Sequence, residues 1–414
     1  MSLHPPAGRR LWRTAAAVLA LCWGLIALGS HQRGKSAARE SLSLPPALAV
    51  SNIAAQPQGL TVGYYPDYAR SQGLLPADLS AGLLTHIHYA FADIDGEGRV
   101  TLSNPEADLS NLAGLRALRE EHPGLKILLS VGGWERSGGF SDAAASEENR
   151  KKFAQSAAEL VAEQDLDGID LDWEFPVSGG REGTAHRLAD RENFTLLLQA
   201  VRAELDRLGE EKGEGEENRR YLLSAAIPPG RELLGSFQPA EIAEAADYLF
   251  LMGYDLHGPW DSVAGFNAPL DPTGEDDPRY TDSVREGVEL WIKAGVSPDK
   301  LVLGMPLYGY RYQLSPGWSG PDSPFLSAGS VSFDRIAAQY LPEGERSFHA
   351  AAQVPYLTGE GWFLSYDDPS SIAAKARLAR EKGLGGIGFW ELSQDREARL
   401  ISAGAAAWEN WAGE

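Results

Sequence analysis

The chain has 414 residues, 43% of them hydrophobic and 23% charged, enough for either about two or three ordinary domains or one barrel carrying an insertion. A formal net charge of -21 argues against a nucleic-acid groove and against stable attraction to an anionic membrane surface, and favours a neutral or cationic partner. The only cysteine is Cys22 and the eight histidines show no HExxH or other ligand spacing, so the sequence gives no sign of a disulfide, a thiolate nucleophile, a metal site or a cofactor.

Arg9, Arg10 and Arg13 precede an apolar run that ends near Gly29. Residues 1–29 therefore read as a secretory signal peptide, short for a membrane span; left uncleaved, the same segment is an N-terminal anchor and the one route to a membrane. Either outcome puts the rest of the chain outside the cytoplasm. Residues 30–58 are rich in Ser, Ala, Pro and Gln without periodicity, which predicts a flexible linker.

From residue 59 onward, short apolar runs recur at 60–65, 85–92, 126–131, 168–173, 221–227, 248–252, 301–306 and 386–390. Helical patterns lie between several of them. Phe153, Ala157, Leu160 and Val161 share one face of a helix over 147–164, and Val284, Val288, Trp291 and Ile292 do so over 283–293. Eight buried strands alternating with helices predict a closed parallel (β/α)8 TIM barrel, with a doubly wound open sheet as the competing architecture. The charge run at 210–220 reads as a solvated loop. Residues 311–362 are too many for a simple loop. They predict a small α+β insertion between the seventh strand and the eighth, leaving 59–310 and 363–414 for the barrel. No tail remains for a separate binding module, and the chain is expected to be a monomer.

The fourth apolar run carries the stretch DLDGIDLDWEFP at 165–176. On a strand, side chains alternate faces, so Asp170, Asp172 and Glu174 point one way while Ile169, Leu171, Trp173 and Phe175 point the other. Three carboxylates spaced roughly 6.6 Å apart along one face hinder one another's ionisation, an arrangement that an acid catalyst requires and stability alone does not. Asp167 falls off that period and reads as structural, at the start of the strand. Active sites of such barrels sit where the strands finish. Those ends supply Tyr64 and Tyr65, Phe91, Ser130 with Gly132 and Gly133, Glu174, Met252 through Asp255, Tyr308, and Trp390 with Glu391. Together they describe an aromatic-lined groove floored by carboxylates, suited to sugars, whose C–H faces stack on aromatic planes while their hydroxyls bond to acidic acceptors.

DGIDLDWEFP is similar to the DxxDxDxE signature of the chitinases of glycoside hydrolase family 18, and LLSVGGW at 128–134 resembles their SxGG motif. Further resemblances are LMGYDLHGPW, GFNAPL, GMPLYG, YDDP and GLGGIGFWEL, in the family's order across almost all of 60–397. The resemblance implies a retaining hydrolase of β-1,4-linked N-acetylglucosamine polymers, chitin and its oligosaccharides, most simply endo-acting. In this family the substrate's own 2-acetamido carbonyl is the nucleophile and an oxazolinium forms. Glu174 is then the general acid and later base, Asp172 orients the acetamido group, and Asp170 supports Asp172. Tyr254 and Asp255 hold the acetamido oxygen and the sugar of the cleavage subsite, near Met252. Trp390 is that subsite's floor, with Tyr64 and Phe91 as walls; Ser130 supports Asp170, and Trp134 stacks on the aglycone sugar. One departure is Tyr310, where family members often carry Arg, with Arg311 displaced by one; this leaves aglycone-side binding open.

The same resemblance admits relatives acting on N-glycan cores or peptidoglycan sugars, and catalytically inactive lectin-like binders. The latter typically lose the acid, whereas Glu174, Asp172 and Asp170 are all present here. GLGGIG at 383–388 satisfies GxGxxG but runs into a strand, whereas a dinucleotide fingerprint follows a strand and opens a helix. His86, His88 and His257 read as hydrogen-bonded core or rim histidines without companions for a metal.

Overall fold

The computed structural model describes residues 59–210, 219–273 and 283–410. The signal or anchor at 1–29, the linker at 30–58 and most of the charge run at 210–220 lie outside them. The eight apolar runs become parallel strands: Leu60–Pro66, His86–Ile94, Lys126–Gly132, Gly168–Asp172, Leu222–Ile227, Tyr248–Met252, Leu301–Pro306 and Gly386–Trp390. Each pairs with its neighbours in sequence, and the first strand pairs with both the second and the eighth, so the sheet closes. The barrel, not the open sheet, is the fold. A short strand, Val100–Thr101, hairpins onto the end of the second.

Alternation along the fourth strand sorts its residues as expected. Asp170 points into the barrel, whereas Trp173 packs outward, 5.2 Å from the Phe140 ring and 5.7 Å from Phe194. Those partners lie on the helices Phe140–Ala144 and Asp190–Glu210. The neighbouring helix Glu147–Glu163 starts where Ser146 accepts the Asn149 N–H at 3.2 Å, and it turns Phe153 toward Phe140. Below the strand, burial pushes the Asp167 carboxyl up. The backbone N–H of Ile127 and the cations of Arg219 and Lys126 outweigh it and hold Asp167 below the usual carboxylate range. Arg119 adds a contact at 3.0 Å. Asp167 therefore ties the lower ends of the third and fourth strands to these cations and lies far from the mouth.

Between the seventh and eighth strands stands a second sheet, antiparallel throughout. Its order is Phe325–Ser332, Tyr308–Leu314, Trp362–Ser365, Val354–Gly359 and Glu345–His349, with the helical turns Phe333–Arg335 and Ile336–Tyr340 in one connection. Pairing of Tyr308 to Tyr310 with Ser330 to Ser332, and of Ser365 with Tyr310, carries this sheet past both ends of the 311–362 stretch. Only Leu307 separates it from the seventh barrel strand, so the sheet rises directly from the barrel mouth.

Trp173 is 1% exposed and stands between Asp172 and Glu174 in sequence. Trp173→Ala is expected to cost about 3–5 kcal/mol of stability by urea denaturation; a loss under about 1 kcal/mol would show that this packing does not brace the strand.

Candidate active site

Asp170 is fully buried inside the barrel. Its register partners are Ser130 on the third strand and Ser224 on the fifth. Each donates its hydroxyl to the carboxylate at 2.7 Å, and Tyr64 of the first strand donates at 2.9 Å. His88 of the second strand brings Nδ1 to 3.4 Å, while its Nε2 lies 2.7 Å from the Tyr248 hydroxyl on the sixth. Burial raises the Asp170 carboxyl, but His88 and the two serines outweigh it and hold it below the ordinary range.

Asp172, one step up the same face, lacks that support. Its Oδ1 is buried without a hydrogen-bond partner among the described residues. Burial, then the charges of Glu174 and Asp170, push its carboxyl well above the usual range. Glu174 lies beyond the end of the strand. Its backbone N–H donates to Ser137 Oγ at 2.9 Å, and that oxygen also lies 3.1 Å from the Asp172 carbonyl and 2.8 Å from that of Gly133. Burial and the charge of Asp255 raise the Glu174 carboxyl to about 8, against the opposing backbone N–H of Trp134.

The two glycines of SVGGW are required by this geometry. Gly132 and Gly133 have φ of 103° and 72°. A Cβ on Gly132 would stand 2.4 Å from the Asp172 carbonyl oxygen, and one on Gly133 would stand 2.6 Å from the Phe91 ring. Phe91 in turn packs 5.6 Å from Trp390, which lies 5.4 Å from Tyr64. These three rings wall one side of the mouth.

On the opposite side, Asp255 adopts φ 58°, with its N–H donated to Asn267 Oδ1 at 2.9 Å. Its Oδ1 accepts the Tyr308 hydroxyl and, at 2.8 Å, that of Tyr310. Asp255 is exposed at the mouth, yet the protein packed around its carboxyl raises it, and the two phenols only partly counter that. Tyr254 is buried, and its phenol is pushed well up by burial and by the charges of Asp172, Asp255, Glu174 and Asp170, so it stays a proton donor. Met252 ends the sixth strand, buried opposite Gly304. Trp134, 45% exposed, offers its backbone to Glu174 and its ring to the outside. Trp260, 46% exposed, stands edge-on to Tyr310 at 5.7 Å. The predicted residues thus gather at one mouth.

Residues 60–395 match the model of the glycosyl hydrolases of family 18. The chain belongs to that family. It is 34% identical to Chitinase A1 of Niallia circulans over 91% of its own length, and spans 63% of that protein, somewhat less than two thirds. Among solved structures it is similar to the Ostrinia furnacalis Group IV chitinase in complex with allosamidin, with a TM-score of 0.76, 31% identity, and coverage of 83% of this chain and 97% of that one. It is also similar to a family 18 N-acetylglucosaminidase from Paenibacillus barengoltzii, with a TM-score of 0.75, 35% identity, and coverage of 84% and 99%.

Within this family 18 site, several residues escape a reading of the sequence alone. Ser224, Tyr248, Ser137 and Asn267 all contact the row of carboxylates or its frame. His88, expected as a core or rim histidine, is a core histidine set against Asp170. His86 is likewise buried, bonded to Thr85 and lowered to about 3 by burial, and His257 sits on the rim beside Asp261. Ser224 carried one signal, as the lone hydroxyl at an inward position of LLSAAI. The Tyr310 departure also has a structural account. Tyr310 shares the Tyr308 face and reaches Asp255, whereas Arg311 points to the other face and stacks 5.5 Å from Trp362 and 5.8 Å from Tyr340. A phenol therefore stands on Asp255 where the resemblance suggested a cation.

Ser224→Ala removes one donor from a buried carboxylate. It is expected to lower stability by about 1.5–3 kcal/mol in chemical denaturation, and an unchanged midpoint would remove Ser224 from the network.

Proposed function

We propose that the chain is a retaining hydrolase of β-1,4-linked N-acetylglucosamine polymers that uses the substrate's 2-acetamido group as nucleophile. The observation that carries the reading is the pairing of two raised carboxyls, Asp172 and Glu174, at the mouth of an aromatic-walled barrel. Glu174, protonated at neutral pH, gives its proton to the glycosidic oxygen as the C1–O bond breaks. The acetamido carbonyl oxygen closes onto C1, giving an oxazolinium. Asp172, whose Oδ1 has no partner among the described residues, accepts the amide N–H through that oxygen and so orients the acetamido carbonyl toward C1. Glu174, now a carboxylate, takes a proton from the water that opens the ring, and retention follows from the two displacements. Asp170, held ionised from below, keeps Asp172 in place. Tyr254 donates to the acetamido oxygen, Asp255 bonds the sugar, Trp390 stacks beneath it between Tyr64 and Phe91, and Trp134 receives the leaving sugar.

The names of similar proteins support N-acetylglucosamine as the substrate unit: they include chitinases and an N-acetylglucosaminidase. The test is product analysis on chitin oligosaccharides, peptidoglycan and an N-glycoprotein, with cleavage of the oligosaccharides expected. Glu174→Gln should lower kcat by about 10²–10⁴; a variant as fast as the wild type would sink the assignment. A fully deacetylated chain, lacking the nucleophile, should not be cut.

An acid must hold its proton to act, so activity persists below the raised pKa of Glu174 and falls as pH rises through about 8. Because the Asp255 charge contributes to that elevation, Asp255→Asn should move the alkaline limb of kcat/KM toward lower pH. A limb that stays in place would show that Asp255 does not act on Glu174.

A further inference from the structure

A histidine shut inside a barrel needs a partner for each ring nitrogen, and His88 is fully buried. Its Nε2 lies 2.7 Å from the Tyr248 hydroxyl. Its Nδ1 makes no aligned hydrogen bond among the described residues, and Asp170 Oδ2 stands 3.4 Å from it, within ion-pair distance. Two rings hold the imidazole in that orientation: Tyr64 edge-on at 4.7 Å and Tyr248 stacked at 5.9 Å.

The protons around Asp170 can be counted. Tyr64, Ser130 and Ser224 each have one hydroxyl proton and donate it to the carboxylate. Ser224 also bonds to the phenol of Tyr248, its register partner on the sixth strand. With its own proton on Asp170, Ser224 receives that of Tyr248, and the Tyr248 oxygen is left to accept from His88. A neutral imidazole protonated on Nε2 would then turn a bare Nδ1 toward a carboxylate. Protonated on Nδ1 instead, it would draw the Tyr248 proton to Nε2 and leave Ser224 and Tyr248 facing each other without one. Only with both nitrogens protonated does every contact from Asp170 through His88, Tyr248 and Ser224 back to Asp170 hold a proton.

The surrounding charges favour the same state. Among the described residues no cation acts on Asp172, Glu174 or Asp255. Asp170 otherwise faces the phenols of Tyr64, Tyr248 and Tyr254 and the carboxyl of Asp172. His88 faces His86, which burial lowers to about 3 and leaves neutral. His88 is thus the side chain placed to carry a positive charge beneath the row.

We propose that His88 is a positioning residue of the reaction, an imidazolium held between Asp170 and Tyr248 whose charge pairs with that of Asp170. Asp172 then stands above a neutral pair and can present a carboxylate oxygen to the amide N–H of the substrate. That role in the reaction rests on the proposed function, whereas the state of the ring does not.

Nitrogen-15 NMR of histidine-labelled protein at neutral pH reads the ring directly. The resonances lost in His88→Asn should be those of a ring protonated on both nitrogens, and a neutral ring there overturns the proposal. The reaction is read from the pH dependence of kcat/KM on chitotriose. Asp170 must be ionised, and a cation beside it lowers the pH at which it takes up a proton. His88→Leu should therefore move the acid limb to higher pH by about 1–3 pH units, with the alkaline limb of Glu174 in place. His88→Asn returns a donor without the charge and should move the limb by less, and Tyr248→Phe, which removes the partner of Nε2, should move it in the same direction. An acid limb that stays in place in His88→Leu or Tyr248→Phe, or that sits at the wild-type position in His88→Asn, overturns the proposal. If circular dichroism shows that His88→Leu does not fold, the other two variants decide. If the wild type cleaves no N-acetylglucosamine oligosaccharide, the hydrolase reading falls, and the NMR result still decides whether His88 is an imidazolium.

Discussion

A carboxylate shut inside a barrel has to be compensated, and Asp170 is compensated by groups from four other strands. Tyr64, His88, Ser130 and Ser224 converge on its two oxygens, with Tyr248 behind His88. Their combined effect is to keep Asp170 ionised where burial alone would protonate it. The other two carboxyls of the row stand above that fixed charge. Asp172 stands one pleat above it, with no donor to its buried Oδ1 among the described residues, and is driven toward its protonated form. Glu174 stands above Asp172 and is raised as well. The charge anchored low in the barrel adds to the burial and the Glu174 charge that raise Asp172, whereas Glu174 is raised by burial and by Asp255, and under the proposed function catalysis is left to the pair nearest the solvent.

The mouth is assembled from both sheets. The barrel strands supply Tyr64, Phe91 and Trp390 on one side. On the other, the second sheet begins so soon after the seventh strand that Tyr308 and Tyr310 reach over the barrel to Asp255. Held by phenols, with no cation on it among the described residues, Asp255 keeps a raised carboxyl, and its charge acts on Glu174. The second sheet is therefore part of the electrostatics of the site as well as a wall of the cleft.

Much of this was legible in the sequence, because it depends on periodicity. Eight apolar runs gave the eight strands to within a residue or two at most ends, and period two separated Asp170, Asp172 and Glu174 from Trp173. What stayed hidden depends on register. Ser130 beside Asp170 was reached only through the family resemblance, and that Ser224 flanks Asp170 on the other side requires knowing how the strands slide past one another, an alignment set by closure of the barrel. The contacts of His88 and Tyr248 are hidden for the same reason. Tyr310 is a different case. Alternation applied to 308–311 would have put Tyr308 and Tyr310 on one face and Arg311 on the other, had the second sheet been expected to begin at Tyr308. The cause there was a boundary drawn by loop length, where strand pairing continues past it.

The central claim is that Asp172 and Glu174 act on a substrate that supplies its own nucleophile, and stereochemistry tests it most directly. The anomer first released from a chitin oligosaccharide can be followed by proton NMR before mutarotation. The account predicts that the β anomer appears first, since closure and opening of an oxazolinium ring invert C1 twice. Initial release of the α anomer would mean a single displacement by water and would contradict it.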